Sequence, residues 1–275
     1  MMLRVGQLYI YPIKSLGGIA RDKAMVTDRG LQYDRRYMLV NENNLFLTQR
    51  ELPAMALLQT SIEGNDLVVR HKKSDDLQIK LSLVPAQTGD ATKVQVWQDV
   101  CEAVLISQNA DEWFSNCLGL SCRLVYMPET TKRNVDATYA VKDDITSFSD
   151  AFPILMIGQS SLDDLNSRLE VILPMNRFRP NIVFIGGQAF EEDTMEHFTI
   201  NRIHFFGVKP CARCAITTTS QETGITGKEP LKTLSTYRVV NNKVLFGQNV
   251  LTEGNGTIAI GDSIEVIKTK TALLA

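Results

Sequence analysis

The sequence predicts a mostly β protein arranged as a barrel or a sandwich, and three observations support that fold class. Short segments rich in β-branched and aromatic residues recur along the chain, turn residues separate them, and only two segments show helical periodicity. Strands at this density are typical of barrels and sandwiches. The strand-like segments are residues 5–13, 37–48, 66–71, 77–84, 93–98, 179–186, 197–210, 214–220 and 257–268.

Turn residues predict where the chain reverses between these strands. Asn43 and Asn44 interrupt one strand-like segment and favour a hairpin turn, because asparagine tolerates the left-handed backbone that such turns use. Gly64 and the two residues after it form a second turn signal. The polar segment 127–149 lacks apolar periodicity, so we expect a long connection there between two β-rich halves.

Two helices are predicted from apolar periodicity. The first runs from about Ala110 to Leu118. The second begins near Ser160, and either Ser160 or Ser161 is expected to cap its first turn. Its apolar side chains repeat three and four positions apart, at Leu162, Leu165 and Leu169. The large apolar side chains, Trp97 and Trp113 among them, are expected in the core.

The composition is that of an ordinary globular protein. The 275 residues are 44% hydrophobic and 22% charged, which allows a substantial core. The formal net charge of -2 argues against a nucleic-acid partner or an anionic membrane surface. Residues 1–15 lack the pattern of a signal peptide, and no run approaches the roughly 20 apolar residues of a membrane span. We therefore expect a cytoplasmic protein.

The five cysteines divide into two groups. Their odd number and irregular spacing make a poor disulfide framework, so we expect reduced thiols. Cys101, Cys117 and Cys122 lie in apolar helical or strand-like runs and are interpreted as small buried hydrophobic residues. Cys211 and Cys214 differ because they form a C-x-x-C pair.

Residues around this pair favour a thiolate on a loop. Pro210 is expected to stop a strand, and the threonines at 217–219 favour another one. Lys209 and Arg213 flank the pair, and positive charge favours the thiolate, which is the ligand that a soft or thiophilic metal prefers.

From the pair alone, three kinds of site stay open: zinc, a redox disulfide, or another soft metal centre. Tetrahedral zinc needs two further ligands, no second C-x-x-C exists, and the spacing of His197 and His204 is not a familiar zinc pattern.

Cationic residues recur where loops meet predicted strands, which is where binding groups tend to lie. If barrel closure brings them together, they form a local anion site, because the arginine fork suits phosphate. These positions are Lys14 beside Ser15, the pair Arg35 and Arg36, the pair Arg177 and Arg179, and Arg213.

Taken together, these motifs resemble the MOSC family, named for the C-terminal domain of molybdenum-cofactor sulfurase. The similarity is strongest to the branch that contains the mitochondrial amidoxime-reducing component and its bacterial relatives. The matching segments follow the family's order from about Leu8 to Asn249. They are LYIYPIKSLGG, DRRYMLV, FSDAFPILMIGQSSLDDLNSRL, NRFRPNIV, VKPCARCAITTTSQETG, KEPLKTL and LFGQN.

The resemblance implies an N-terminal β-barrel domain over residues 1–123 and a MOSC β-barrel domain with a few helices over residues 124–271. A molybdenum cofactor, Mo-molybdopterin, would lie between them, with Cys214 as the protein ligand to the metal. Of the two adjacent arginines, the motif favours Arg36 over Arg35. The implied cofactor-binding residues are Lys14, Ser15, Arg36, Arg179, Asn181 and Arg213.

The implied activity is the reduction of N-hydroxylated compounds, such as amidoximes and hydroxylamino-purines. Since the four-cysteine pattern of a plant-type ferredoxin is absent from the sequence, electrons would come from a separate flavoprotein or iron–sulfur protein. Asp150 is a candidate catalytic acid, and its alternative role is a hydrogen bond within the loop. The alternative function is a carrier of the cofactor, or of sulfur on Cys214.

The chain departs from the mitochondrial relatives at two places. Ala151 and Phe152 replace a Thr-Ser pair, and Asn249 replaces a tyrosine. These differences concern the expected substrate pocket more than the expected cofactor site.

Overall fold

The structure is a computed structural model that describes residues 2–86 and 89–274, with the side chain of Asp75 left undescribed. Met1, at the start of the predicted first domain, lies outside this part of the chain. Within it, strands predominate over helices, which confirms the mostly β fold class.

The strands of the first half alternate with tight turns. In chain order they are β1 (Arg4–Ile10), β2 (Ile19–Arg21), β3 (Lys23–Thr27), β4 (Gly30–Leu31), β5 (Tyr37–Val40), β6 (Leu58–Glu63), β7 (Asp66–His71), β8 (Ser74–Ser82), β9 (Ala91–Val96), β10 (Asp99–Leu105) and β11 (Arg123–Tyr126).

The strands of the second half include the two longest, β17 and β19. In chain order they are β12 (Arg133–Asn134), β13 (Ile145–Thr146), β14 (Ile154–Gly158), β15 (Ile182–Ile185), β16 (Met195–Ile200), β17 (Ile203–Ala212), β18 (Val239–Val240), β19 (Lys243–Glu253), β20 (Gly256–Ala259) and β21 (Ile264–Thr269).

Helices are few and short in the described residues. The three α-helices are α1 (Gln108–Leu118), α2 (Gln159–Ser167) and α3 (Leu231–Leu234). Single turns of 3-10 helix lie at Pro53–Leu57, Met175–Arg177, Glu191–Asp193 and Ala215–Thr218. None of the helices in the described ranges has the length and apolarity needed to cross a lipid bilayer.

One large sheet joins the two ends of the chain. Its strand order is β2-β1-β15-β14-β19-β17-β16-β21, with β18 added to β19. The first strand β1 runs antiparallel to β15, and β15 runs parallel to β14. Elements on both sides of the expected boundary at residues 123 and 124 thus share this sheet, and the boundary itself stays a prediction.

Four smaller sheets complete the fold. A four-stranded sheet has the order β5-β11-β10-β9, and a three-stranded meander joins β6, β7 and β8. Strand β20 pairs with β3 and then β4, and β12 pairs with β13 inside the predicted long connection. The meander turns at Gly64 and Asn65, as predicted, and the Asn41–Asn44 turn is closed by a backbone hydrogen bond of 3.0 Å.

Helix α1 forms where its apolar periodicity predicts it. Ser107 accepts a hydrogen bond from the backbone N–H of Ala110, and Gly119 ends the helix with a left-handed φ of 70°. Ala110 and Phe114 are fully buried in the core that the helix shares with the N-terminal strands. That packing stabilises the helix more than its sequence propensity does.

Helix α2 is confirmed, but its predicted cap is wrong. The helix begins after Gly158, which offers no side chain. The hydroxyl of Ser160 donates to the carbonyl of Gly187, and that of Ser161 donates to the carboxylate of Glu192. Both serines therefore join the helix to a neighbouring loop instead of capping it.

Two expectations about the cysteine loop are also corrected. Strand β17 continues through Pro210 to Ala212, because bulges around Lys209 and Pro210 accommodate the missing amide donor. Thr217 and Thr218 lie in a 3-10 turn, and Thr219 forms only an isolated β-bridge with Thr226. Thr217 donates its hydroxyl to the carbonyl of Cys214 at 3.0 Å, a local hydrogen bond that competes with strand pairing.

Candidate active site around Cys214

A pocket at the end of β17 collects most of the predicted site residues. All of them except Arg36 line it: Lys14, Ser15, Asp150, Arg179, Asn181, Arg213 and Cys214. These residues come from four separate stretches of the chain, so the pocket exists only because the sheets close on one another.

Cys214 lies half-buried at the point where β17 gives way to the 3-10 turn. The backbone N–H of Arg213 bonds to the carbonyl of Val244 at 2.7 Å, which ties the loop to β19. Buried Arg177 donates to the carbonyl of Thr217 at 2.9 Å from the opposite side. The sulfur is therefore presented by a loop that is fixed at both ends.

Lys14 and Ser15 reach the pocket from the loop after β1. Ser15 adopts a left-handed φ of 66°, which turns the chain sharply there. Its carbonyl accepts a 2.6 Å hydrogen bond from the buried amide of Gln49, which also exchanges hydrogen bonds with Gln221 beyond the cysteine loop. This reciprocal amide pair locks the two halves of the molecule together beside the pocket.

Buried Lys14 and half-exposed Asp150, both of which line the pocket, form an ion pair of 2.6 Å. Burial lowers the pKa of Lys14 to about 8, even though Asp150 acts in the opposite direction. Desolvation tends to raise the pKa of Asp150, but the charges of Lys14 and Arg50 outweigh it and hold that pKa well below its usual range. Asp150 is therefore a carboxylate at neutral pH and has no proton to donate there.

Buried Arg133 holds the segment that carries Asp150. Its guanidinium donates to the backbone carbonyls of Ser147, Ser149 and Asp150 and pairs with Asp99 at 2.8 Å. The end of the predicted long connection is thus rigid where it meets the pocket.

The structure brings Arg35 to the pocket in place of the expected Arg36. Arg36 points away, with an ion pair of 2.7 Å to Glu129 and a hydrogen bond to the carbonyl of Met127. Arg35 has a left-handed φ of 49° and lines the pocket, because its side chain is held by Asp34 at 2.6 Å and by Asn181 at 3.0 Å.

Asn181 and Arg179 hold this side of the pocket. The amide oxygen of Asn181 accepts hydrogen bonds from Arg35 and from the backbone N–H of Leu155. Its side chain therefore holds these two lining residues in place. Arg179 is buried, lies 4.3 Å from the ring centre of Tyr11 and has a pKa that burial lowers to about 10. It remains cationic at neutral pH.

Cys211 has a different environment from Cys214. Its sulfur accepts a 3.1 Å hydrogen bond from Arg213, whose second nitrogen donates to the carbonyl of Phe178. Both thiols of the pair are free. No cluster of histidine, cysteine, aspartate and glutamate suited to a metal occurs among the described residues, and His197 and His204 bond to each other at 2.8 Å. The arrangement does not support the zinc interpretation.

The other three cysteines match their predicted structural role. Cys101 and Cys122 are buried, and Cys117 is partly buried. Burial raises the pKa of Cys101 and of Cys117 to about 11, so these thiols stay protonated and unreactive at neutral pH.

Two residues that the sequence did not suggest contact residues that line the pocket. Arg50 donates to the sulfur of Cys214 at 3.4 Å, and its guanidinium lies 4.2 Å from the ring centre of Trp97. Trp97 was expected in the core but is 44% exposed. Neither residue belongs to a motif, and only the folded chain shows their proximity to Cys214.

The donor set of the pocket suits an anionic ligand. Four cationic side chains line the pocket together with a single carboxylate, that of Asp150, although the whole chain carries a net charge of -2. The four cations are Lys14, Arg35, Arg179 and Arg213. Within the described residues, Nε of Arg213 and Nη2 of Arg50 are buried without a hydrogen-bond partner. Hydrogen-bond donors therefore exceed acceptors, which fits a ligand that carries phosphate.

Comparison with known proteins agrees with this arrangement. The family described as the MOSC N-terminal beta barrel domain matches residues 2–121, and the MOSC domain matches residues 143–265. Mitochondrial amidoxime-reducing component 1 of Mus musculus is 34% identical and aligns over 96% of this chain and 82% of its own length. The chain belongs to the MOSC family.

Further MOSC relatives show the same extent of similarity. Mitochondrial amidoxime-reducing component 1 of Homo sapiens is 31% identical over 96% of this chain and 82% of that protein. The protein of that name from Danio rerio is 30% identical over 96% of this chain and 85% of its own length. The similarity thus spans both halves and the pocket between them. These names place the relatives in mitochondria, so the expected cytoplasmic location of this MOSC protein stays a prediction.

Proposed function

We propose that this MOSC protein is a molybdenum-cofactor-dependent reductase of N-hydroxylated small molecules, such as amidoximes and hydroxylamino-purines. The observation that carries the proposal is the position of the Cys214 sulfur in a pocket with four cationic side chains. The names of the relatives, amidoxime-reducing components, support the substrate class.

Each part of the pocket has a role in this proposal. Cys214 would supply the thiolate ligand to molybdenum, a role that suits soft sulfur. Lys14, Arg35, Arg179 and Arg213 would hold the phosphate of the pterin, and the unpartnered donor of Arg213 matches an acceptor there. Ser15 and Asn181 would shape the wall. When bound, the cofactor supplies the two-electron redox chemistry.

The reaction balances as R–NHOH plus two electrons and two protons giving R–NH2 and water. The N–O bond breaks and the nitrogen is reduced, while an external flavoprotein or iron–sulfur protein is oxidised. The low pKa of Asp150 argues against this residue as the proton donor, and its carboxylate instead keeps Lys14 in place. No nucleic acid or membrane takes part in the proposed reaction.

Elemental analysis tests the metal assignment. The wild-type protein, Cys214→Ser and Cys211→Ser are purified from a host that makes the cofactor, and molybdenum and zinc are measured. We expect about one molybdenum per chain in the wild type and in Cys211→Ser, and almost none in Cys214→Ser. Stoichiometric zinc, or molybdenum that is indifferent to Cys214, would overturn the assignment.

Turnover tests the activity. Metal-loaded protein receives electrons from a reduced viologen dye, and benzamidoxime consumption is measured with Cys214→Ser as the control. Consumption that depends on Cys214 supports a reductase. Stable molybdenum binding with no reduction of any N-hydroxylated compound would instead indicate a carrier of the cofactor or of sulfur.

A further inference from the structure

Trp97 is an exposed aromatic side chain held in an unusual backbone conformation beside the pocket. It occupies the two-residue turn between β9 and β10 with a left-handed φ of 58°, although it carries a bulky side chain. It is also 44% exposed. Bulky residues rarely adopt this conformation, and when the surrounding structure maintains it, the position is a candidate for function.

Three contacts hold the indole in one orientation. The guanidinium of Arg50 lies 4.2 Å from its ring centre, and the ring of Phe46 lies 5.1 Å away at an angle of 54°. The indole N–H donates to the carboxylate of Asp150 at 3.4 Å. Since Asp150 lines the pocket, the indole is held against a lining residue, and Trp97 keeps part of its surface open to solvent.

Arg50 connects this indole to the proposed metal ligand. One of its nitrogens donates to the sulfur of Cys214 at 3.4 Å, while the planar group lies against Trp97. Arg50 and Trp97 come from the N-terminal half, whereas Cys214 comes from the MOSC domain. A side chain of the N-terminal half thus contacts the sulfur directly, and Trp97 packs on that side chain.

On the basis of the function proposed above, we propose that Trp97 selects planar aromatic N-hydroxylated substrates, and that Arg50 is the positioning residue that holds it. An open aromatic surface next to a lining residue of the pocket favours a flat π system, which stacks on the indole. A small aliphatic N-hydroxylated compound gains nothing from that surface. Stacking of this kind raises affinity by roughly tenfold.

Fluorescence gives a readout that does not depend on turnover. The chain has two tryptophans, so Trp113→Phe leaves Trp97 as the sole indole emitter. Trp113 lies on α1, away from the pocket residues. In the full-length, cofactor-loaded Trp113→Phe protein, we expect benzamidoxime to quench the emission and acetamidoxime to leave it unchanged.

Kinetics separates the two residues. We expect Trp97→Ala to lower the selectivity for benzamidoxime over acetamidoxime about tenfold, mainly through a higher KM for benzamidoxime, and Trp97→Phe to keep most of it. Arg50→Ala, in the Trp113→Phe background, should shift the Trp97 emission to the red and lower selectivity similarly. Arg50→Lys should restore part of both. Molybdenum content is measured for every variant, because Arg50 also contacts Cys214.

The outcomes distinguish the two proposals. If benzamidoxime quenches the emission of a protein that reduces no N-hydroxylated compound, the reductase function is refuted and the role of Trp97 in binding aromatic compounds stands. If Trp97→Ala turns over both compounds with unchanged selectivity, the role of Trp97 is refuted and the reductase function stands. Absence of quenching, or equal quenching by the aliphatic compound, also overturns the role of Trp97.

Discussion

Raising the pH from 7 to 9 should weaken anion binding in the pocket about tenfold, because Lys14 loses its charge. Burial places the pKa of Lys14 at about 8. One unit below that value about 90% of the side chains are charged, and one unit above it about 10%, which corresponds to ~1.3 kcal/mol of lost binding free energy. Arg179, with a pKa of about 10, stays largely charged over this range.

Sulfate is the appropriate probe, since its own charge is constant between pH 7 and 9. Its affinity is measured by calorimetry at several pH values on the wild type and on Lys14→Gln. The variant should bind sulfate more weakly at pH 7 and show little further change with pH. Lys23→Gln, at an exposed position on β3, is the matched control. The reasoning would be refuted if the wild type bound sulfate equally well at pH 7 and pH 9. It would also be refuted if the sulfate affinity of Lys14→Gln fell with pH as much as that of the wild type.

Three further predictions concern stability. Burial raises the pKa of Glu192 from 4.5 to about 7, so stability present below pH 4.5 is lost as pH rises through 7. Urea unfolding of the wild type should show unfolding free energy falling by ~2.5 kcal/mol between pH 5 and 8.5. Glu192→Gln should abolish this fall, while the surface control Glu265→Gln should keep it. Arg133→Met should cost about 3 kcal/mol of unfolding free energy, because it leaves the buried carbonyls of Ser147 and Ser149 without their donor. Chemical unfolding measures this cost, and a loss below about 1 kcal/mol would contradict the anchoring role. Phe114→Ala should cost about 3–5 kcal/mol by opening a cavity under α1, as thermal unfolding would show, and a neutral result would mean that this core is loosely packed.

Local elements of the fold could be predicted because they depend on neighbouring residues. The turn at Gly64 and helix α1 with its glycine stop appear where the pattern places them. Helix α2 also appears, but its serines bond to Gly187 and Glu192, more than 25 positions away in the chain. A capping preference is weak enough for such distant partners to override it.

The choice between Arg35 and Arg36 shows the limit of motif matching. The two residues are adjacent, and the left-handed backbone of Arg35 turns its side chain toward the pocket while Arg36 pairs with Glu129. A motif identifies the neighbourhood of a functional residue. The direction of the side chain depends on partners such as Asn181, which is 146 positions distant.

The sequence by itself determined the β-rich fold class and the family, because periodicity and motif order are properties of the chain. Only the tertiary structure decided that Arg35 lines the pocket, that Asp150 is held as a carboxylate by Lys14, and that an exposed tryptophan packs on the arginine that contacts the sulfur. The physical reason is that charge state, burial and contact are set by side chains more than 100 residues apart, which meet only when the sheets close.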